Sequence, residues 1–419
     1  MQLDTTQIRK HFSALALHDD GRRRIYLDNP AGTQVPESVI DAIGDCLRHA
    51  NANLGGPFNS SIAADDIVKS AHLAMADLLN APSPAEIVFG ANMTSLTFQI
   101  SRALGGQLNP GDEIIVSELD HDANVTPWAL LARDLELVVK KIRLDTDSFT
   151  LDYEQFDDLL NDRTRLVCVG HASNLLGTIN DIPRICTAAH KYGALVFVDG
   201  VHSVPHLSID VQSLGCDFLV CSPYKFFGPH QGVLWGRKAL LESLDAYKLV
   251  PAPDTLPGRF ETGTQNHEAM AGVTAAVDYL ASLAGESEPR RKRLEQALEL
   301  IREYEHQLCR ALIERLTVIE GLTVHGITAA SELSHRAPTV SFTMRGVHPA
   351  TIAKTLAQNN IFAWSGHSYA VEPCKALGLL DSGGVLRVGL VHYNTAEDVD
   401  ALIDVLQQIA AEEQDRLSA

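Results

Sequence analysis

The sequence predicts an α/β protein: a mostly parallel seven-stranded sheet flanked by helices, followed by a smaller α+β domain. Three observations carry this. Seven short apolar runs recur between Glu86 and Gly236, with helical patterning between them, and strands that alternate with helices form parallel sheets covered on both faces. The chain has 419 residues, whereas single cores stop growing near ~250–300 residues, so two domains with a cleft between them are expected. The rhythm then changes after a stretch rich in Pro and Gly, Lys248 to Gly258.

The seven runs are EIVFG, EIIVS, ELVVKKIRL, TRLVCVG, ALVFVDG, CDFLVCS and GVLWG. Each is rich in β-branched and aromatic residues and too short for a buried helix. Beyond the break, a charged helical segment is expected from Glu286 to Arg315. PTVSFTMRG, NIFAWSG and GGVLRVGLV read as strands, with helices at His348 to Gln358 and Ala396 to Glu412. The expected division is residues 18–262 for the large domain, with 1–17 and 263–419 forming the small one. Neither internal repeats nor low-complexity tracts interrupt this pattern.

Composition removes several classes of function. Hydrophobic residues make up 45% and charged residues 21%, and no apolar run approaches the ~20 residues needed to span a bilayer. The opening MQLDTTQIRKHFSALALHDDGRRR lacks a continuous apolar stretch and mixes acids with bases, so it reads as neither a secretory signal nor a transit peptide. A cytoplasmic protein is expected. The formal net charge of -19 repels phosphate backbones and anionic lipid, which argues against nucleic acid and membrane partners. The seven cysteines show no CxxC pair or metal-ligand spacing, so no metal is expected and buried free thiols are.

In open parallel sheets, ligands bind beyond the carboxyl ends of the strands. Five polar segments follow the apolar runs there. ALVFVDG delivers Asp199, with His202 three residues on; a carboxylate there can pair with a protonated ring nitrogen, and equally can cap the turn. One strand–helix–strand unit later, SPYKFFG places Lys225 beside Ser222 and Tyr224, whose hydroxyls suit a phosphate, and beside Phe226 and Phe227. An apolar flank lowers the pKa of an amine, as a Schiff-base lysine requires. FGANMTSLTF ends a strand at Gly90 and opens a helix near Met93, so backbone N–H groups and the Thr94 hydroxyl can bind phosphate or simply cap the helix. His121 after EIIVS can stack on a flat ring or move protons, and Asn174 after TRLVCVG can reach a ligand's oxygen. Both also fit ordinary loop and turn positions.

Together and in this order, VDGVHS, CSPYKFFGP and RFETGTQN resemble the class V aminotransferase and cysteine desulfurase family, most closely the NifS-like desulfurases. The resemblance runs from Tyr26 to Thr395. It implies a pyridoxal-5'-phosphate (PLP) enzyme of fold type I acting on an amino acid through an external aldimine. It implies Lys225 as the residue that holds the cofactor, Asp199 on the pyridine nitrogen, His121 stacked on the ring and acting in catalysis, and Asn174 and His202 near the phenolic oxygen. Ser222, Tyr224, Thr94 and the Met93 helix start would hold the phosphate. A homodimer is also implied, with Thr264 reaching the neighbour's phosphate, and Arg387 of VLRVGLVHYNT would clamp the substrate carboxylate.

The pattern breaks in two places. Where desulfurases carry a sulfur-accepting cysteine, the run here is WSGHSYA and Tyr369 takes that position beside the substrate; the nearest thiol is Cys374. Gly55-Gly56 stand where a His-Arg pair is common. Neither loss touches proton removal by Lys225. The expected activity is therefore desulfurase-like C–S cleavage of a cysteine-type substrate, with transamination or epimerisation of another amino acid as the alternative and a degenerate PLP-binding scaffold as the third reading.

Overall fold

The computed structural model describes residues 3–285 and 288–418. Glu286, where the charged helix was expected to begin, lies outside the described residues. The apolar runs form one seven-stranded sheet: β1 (Ile87–Gly90), β2 (Glu113–Ser117), β3 (Val138–Ile142), β4 (Thr164–Gly170), β5 (Leu195–Asp199), β6 (Phe218–Cys221) and β7 (Gly232–Gly236). Their spatial order is β1-β7-β6-β5-β4-β2-β3. β7 pairs antiparallel with both its neighbours and the other pairs are parallel. Six strands therefore end on one edge of the sheet.

Alternation explains why these runs read as unbroken apolar stretches. Val167, Val169, Val196, Val198, Leu219 and Cys221 join a core on one face. Leu166, Cys168, Phe197, Phe218 and Val220 join a separate core on the other. Side chains alternate faces along a strand, so a strand covered on both sides has no polar positions.

The second sheet comprises β8 (Leu322–His325), β9 (Thr339–Met344), β10 (Trp364–Gly366) and β11 (Val385–Gly389), in the order β8-β9-β11-β10. It packs with the helices Pro349–Gln358 and Ala396–Ser418 around Val340, Phe342, Leu386, Leu402 and Leu406. NIFAWSG, expected as one strand, divides: Ile361–Phe362 pairs in parallel with Ile25–Tyr26, while β10 pairs with β11. ELVVKKIRL also divides: Val138–Ile142 joins the large sheet, while its last residue, Leu144, pairs together with Asp145 against Thr150–Leu151.

The long charged helix runs Arg290–Leu316, with Pro289 at its N-cap. Its first half contributes Leu294, Leu298 and Ile301 to the large core and its second half Leu308, Leu312 and Leu316 to the small one. Ile8, Phe12, Met270 and Val277 also belong to the large core. The boundary after residue 262 separates the two sheets; by packing, we propose that the transition between domains falls within this bridging helix. Among the described residues, no helix is long and apolar enough to cross a membrane.

Candidate active site

A cavity of about 740 Å³ opens where the carboxyl edge of the large sheet meets the second sheet. Met93, Thr94, His121, Asn174, Asp199, His202, Tyr224, Lys225, Tyr369 and Arg387 all line it. Parallel pairing accounts for much of this convergence: Asp199 is the last residue of β5, in register with Gly170 of β4 and Val220 of β6. Two expected residues stand elsewhere. Ser222 is buried at the end of β6 but is not part of the cavity wall. Thr264 lines a second cavity with Ser95, Gln99, His230 and Gln231. Gly55 and Gly56 also lie off the wall, their backbone N–H groups held by Asp65 and by Ser61.

Lys225 closes the single turn Pro223–Lys225 that follows β6. Its backbone N–H donates to the Ser222 carbonyl, and the Gly228 N–H to that of Pro223. The chain then passes through Phe227 at φ 68, a backbone region costly for a side chain bearing Cβ. Phe226 and Phe227 are fully buried, as the apolar flank requires. The amine donates to the carbonyl of Pro30. Burial, and then the Arg387 charge, pull its pKa from 10.5 to about 7, although Asp199 and Asp28 act in the opposite sense.

Asp199 does both things its sequence position allows. Oδ1 accepts the Val201 N–H at 2.9 Å, capping the turn. The carboxylate also faces the cavity, where burial lifts its pKa to about 6 against the Val201 bond and the Lys225 charge. His121 caps Asp122–Asn124 by accepting the Ala123 N–H on Nδ1 at 3.1 Å. That bond leaves Nε2 as the protonated nitrogen of a neutral ring. The ring stays neutral because burial, Lys225 and Arg387 lower its pKa to about 4. Burial also holds the His202 imidazole well below its ordinary pKa, and its ring is tied to Thr339 Oγ1 at 2.8 Å.

Arg387 lies on β11 and is 4% exposed. Its Nη1 donates to the Asn174 carbonyl at 2.9 Å, while Nε has no partner among the described residues. Asn174 Oδ1 is likewise buried and unpaired there, and its Nδ2 donates to the Ser368 carbonyl at 2.9 Å. Buried polar atoms without partners mark places where a ligand supplies the missing bond. These orphans, a desolvated amine and a buried carboxylate fit a flat anionic aldehyde cofactor together with a carboxylate-bearing substrate.

The segment between β10 and the helix Val371–Ala376 is latched onto the large domain. The Asp122 N–H donates to the Tyr369 carbonyl at 2.8 Å, and the Tyr369 ring stacks on His121 with centroids 5.4 Å apart and planes 25° apart. Ser368 and Tyr369 hold φ of 49° and 58°. All seven cysteines are free and buried. Cys374 is fully buried in its helix, where burial raises its thiol pKa to about 11.

Sequence reasoning missed Asp28, Pro30, Asp120 and Trp364. Asp28 reaches the site because it bridges Gly389 at the end of β11, and burial lifts its pKa to about 6 beside Arg387 and Lys225. Gly389 allows this approach: a Cβ there would fall 2.2 Å from Cγ of Pro30. Asp120, raised to about 7 by burial, accepts the Gly170 N–H at 2.8 Å and supports the floor below Asp199. Only YLDNPAG at the start of the resemblance offered a signal for Asp28 and Pro30.

The aminotransferase class-V family model matches residues 25–402. The chain belongs to the class V aminotransferase family. Family members are PLP-dependent enzymes, so the cofactor is PLP, and the architecture is the fold type I arrangement. The chain is 32% identical over 420 residues to a probable cysteine desulfurase of Halalkalibacterium halodurans, covering 97% of this chain and 98% of that one. It is 35% identical over 410 residues to the aminotransferase-like protein FGM3 of Gibberella zeae, covering 96% and 97%. Among solved structures it resembles the Escherichia coli cysteine desulfurase CsdA, with a TM-score of 0.84, 28% identity, and 98% and 99% of the chains covered.

Proposed function

We propose that this class V enzyme cleaves the C–S bond of a cysteine-type amino acid and releases the sulfur without lodging it on a protein thiol. The observation that carries the reading is the meeting of Lys225, Asp199 and Arg387 in one cavity whose wall, among the described residues, includes no cysteine. Similarity to proteins named cysteine desulfurase supports the substrate class. Tyr369, standing where desulfurases carry the sulfur-accepting cysteine, argues against a persulfide on the enzyme.

Bound PLP supplies an electron sink for the carbanion formed beside the substrate nitrogen. The protein supplies the rest. Asp199 would hold the cofactor's ring nitrogen protonated, and His121 would meet the ring as a neutral imidazole. Arg387 fixes the substrate carboxylate with a fork geometry that a lysine lacks. Lys225, half neutral near pH 7, holds the cofactor and accepts the proton from the substrate Cα. Met93, Thr94 and Tyr224 would hold the phosphate. Ser222 stiffens the turn that carries Lys225, and Thr264 serves the neighbouring subunit of a homodimer. Buried free thiols suit a reducing compartment, so we place the enzyme in the cytoplasm.

Transamination or epimerisation of another amino acid is the second reading, favoured by Tyr369 and by the likeness to the aminotransferase-like protein FGM3. Incubating the PLP-loaded protein with L-cysteine and L-cystine, and assaying alanine, pyruvate and sulfide separately, tests the choice. Pyruvate with sulfide is expected. Alanine with sulfide would restore a persulfide route, and the absence of all three products would move the assignment to the second reading.

A further inference from the structure

The cavity is asymmetric in its chemistry. Its permanently cationic or amine groups, Lys225 and Arg387, both lie buried at the base. Toward the mouth, Trp364 is 56% exposed and Tyr369 67% exposed, and Phe98 and Pro127 add apolar surface to the lining. Trp364 stands directly opposite Arg387 in the β10–β11 ladder. Directly opposed residues share a face with Cβ atoms ~5 Å apart, so the indole begins where a carboxylate held by Arg387 ends. Asp122 is already engaged by the Thr126 hydroxyl at 2.8 Å, and the His367 ring by the Tyr369 N–H at 3.0 Å. Among the described residues that line it, the mouth therefore offers aromatic surface and neither lysine nor arginine for a second carboxylate.

Free cysteine would leave this surface uncovered, since its side chain ends at the sulfur. We propose that the substrate is an S-substituted L-cysteine whose uncharged thioether group lies between Trp364 and Tyr369, which set specificity. This rests on the C–S cleavage reading and names its substrate class. The reaction balances without an oxidant or reductant. Lys225 takes the Cα proton, the Cβ–S bond breaks with its electron pair left on sulfur, and the sulfur takes up a proton to depart as a thiol. Hydrolysis of the remaining three-carbon unit by one water yields pyruvate and ammonium.

The test compares S-benzyl-L-cysteine with L-cysteine on the PLP-loaded protein by thiol and pyruvate release. S-benzyl-L-cysteine is expected to show a kcat/KM at least ~10-fold higher, the scale on which an apolar pocket discriminates. Trp364→Ala removes that preference through KM, and Trp364→Phe retains most of it. Binding gives an independent readout: Trp128 and Trp235 are buried, so Trp364 is the exposed indole of the three. The analogue with CH2 in place of sulfur should change the tryptophan emission of the parent and not of Trp364→Ala. Far-ultraviolet circular dichroism checks that both variants fold. If L-cysteine is cleaved as well as S-benzyl-L-cysteine and Trp364→Ala changes neither, the proposal is overturned while C–S cleavage stands. If neither compound releases a thiol or sulfide, both readings fall.

Discussion

Lys225 is the group whose chemistry responds most directly to pH. Its amine is held at about 7 by burial first and Arg387 second, opposed by Asp199 and Asp28. Only the neutral amine adds to an aldehyde. Near pH 7 about half the molecules carry it, against roughly one in 3000 for a lysine titrating at its ordinary value. The rate of covalent PLP attachment to cofactor-free protein should therefore rise about tenfold per pH unit below ~6 and level off above ~8, followed by stopped-flow absorbance of the adduct. Removing the Arg387 charge takes away the second cause of the lowering. Arg387→Met should thus move the midpoint upward and slow attachment at pH 7. A parent rate that keeps climbing tenfold per unit through ~9 would refute the reasoning, because Lys225 would then be behaving as a solvated amine.

Arg387→Lys keeps a charge but loses the fork, and should raise KM by about 30-fold, the equivalent of roughly 2 kcal/mol for a charge-assisted bond, with a smaller change in kcat; steady-state kinetics decide. Cys374→Ala should leave sulfur release within about twofold of the parent, since the thiol is buried and held protonated, and a tenfold loss would show that it handles sulfur. Gly389→Ala sets a methyl against Pro30, whose carbonyl receives Lys225; a loss of about 1–3 kcal/mol in urea unfolding, the cost of overpacking, should accompany weaker PLP retention in dialysis.

The divided run NIFAWSG shows the limit of local reading. Its apolar pattern specifies extended chain, but Ile361–Phe362 and Trp364–Gly366 take partners at opposite ends of the sequence, and no local pattern encodes which distant strand will pair. β8 went unnoticed for a related reason: LTVH buries little beyond His325, so its apolar signal is weak. The helix Arg290–Leu316 was legible as a long charged segment after the Pro/Gly-rich break, whereas its division between two cores follows from the sheets on either side.

By itself the sequence determined that the runs preceding His121, Asn174, Asp199 and Lys225 are strands of one sheet, and hence that these residues emerge at one edge. Parallel strands covered on both faces must be continuously apolar, so the first polar residue beyond each marks the edge. Tertiary structure alone decided that Asp28 and Pro30 press against Gly389, that Trp364 stands across from Arg387, and that Tyr369 stacks on His121. The Asp28–Gly389 and Tyr369–His121 contacts join segments hundreds of residues apart and depend on how one packed domain meets the other, whereas Trp364 meets Arg387 through the register of β10 on β11, and neither quantity is carried by a single stretch of sequence.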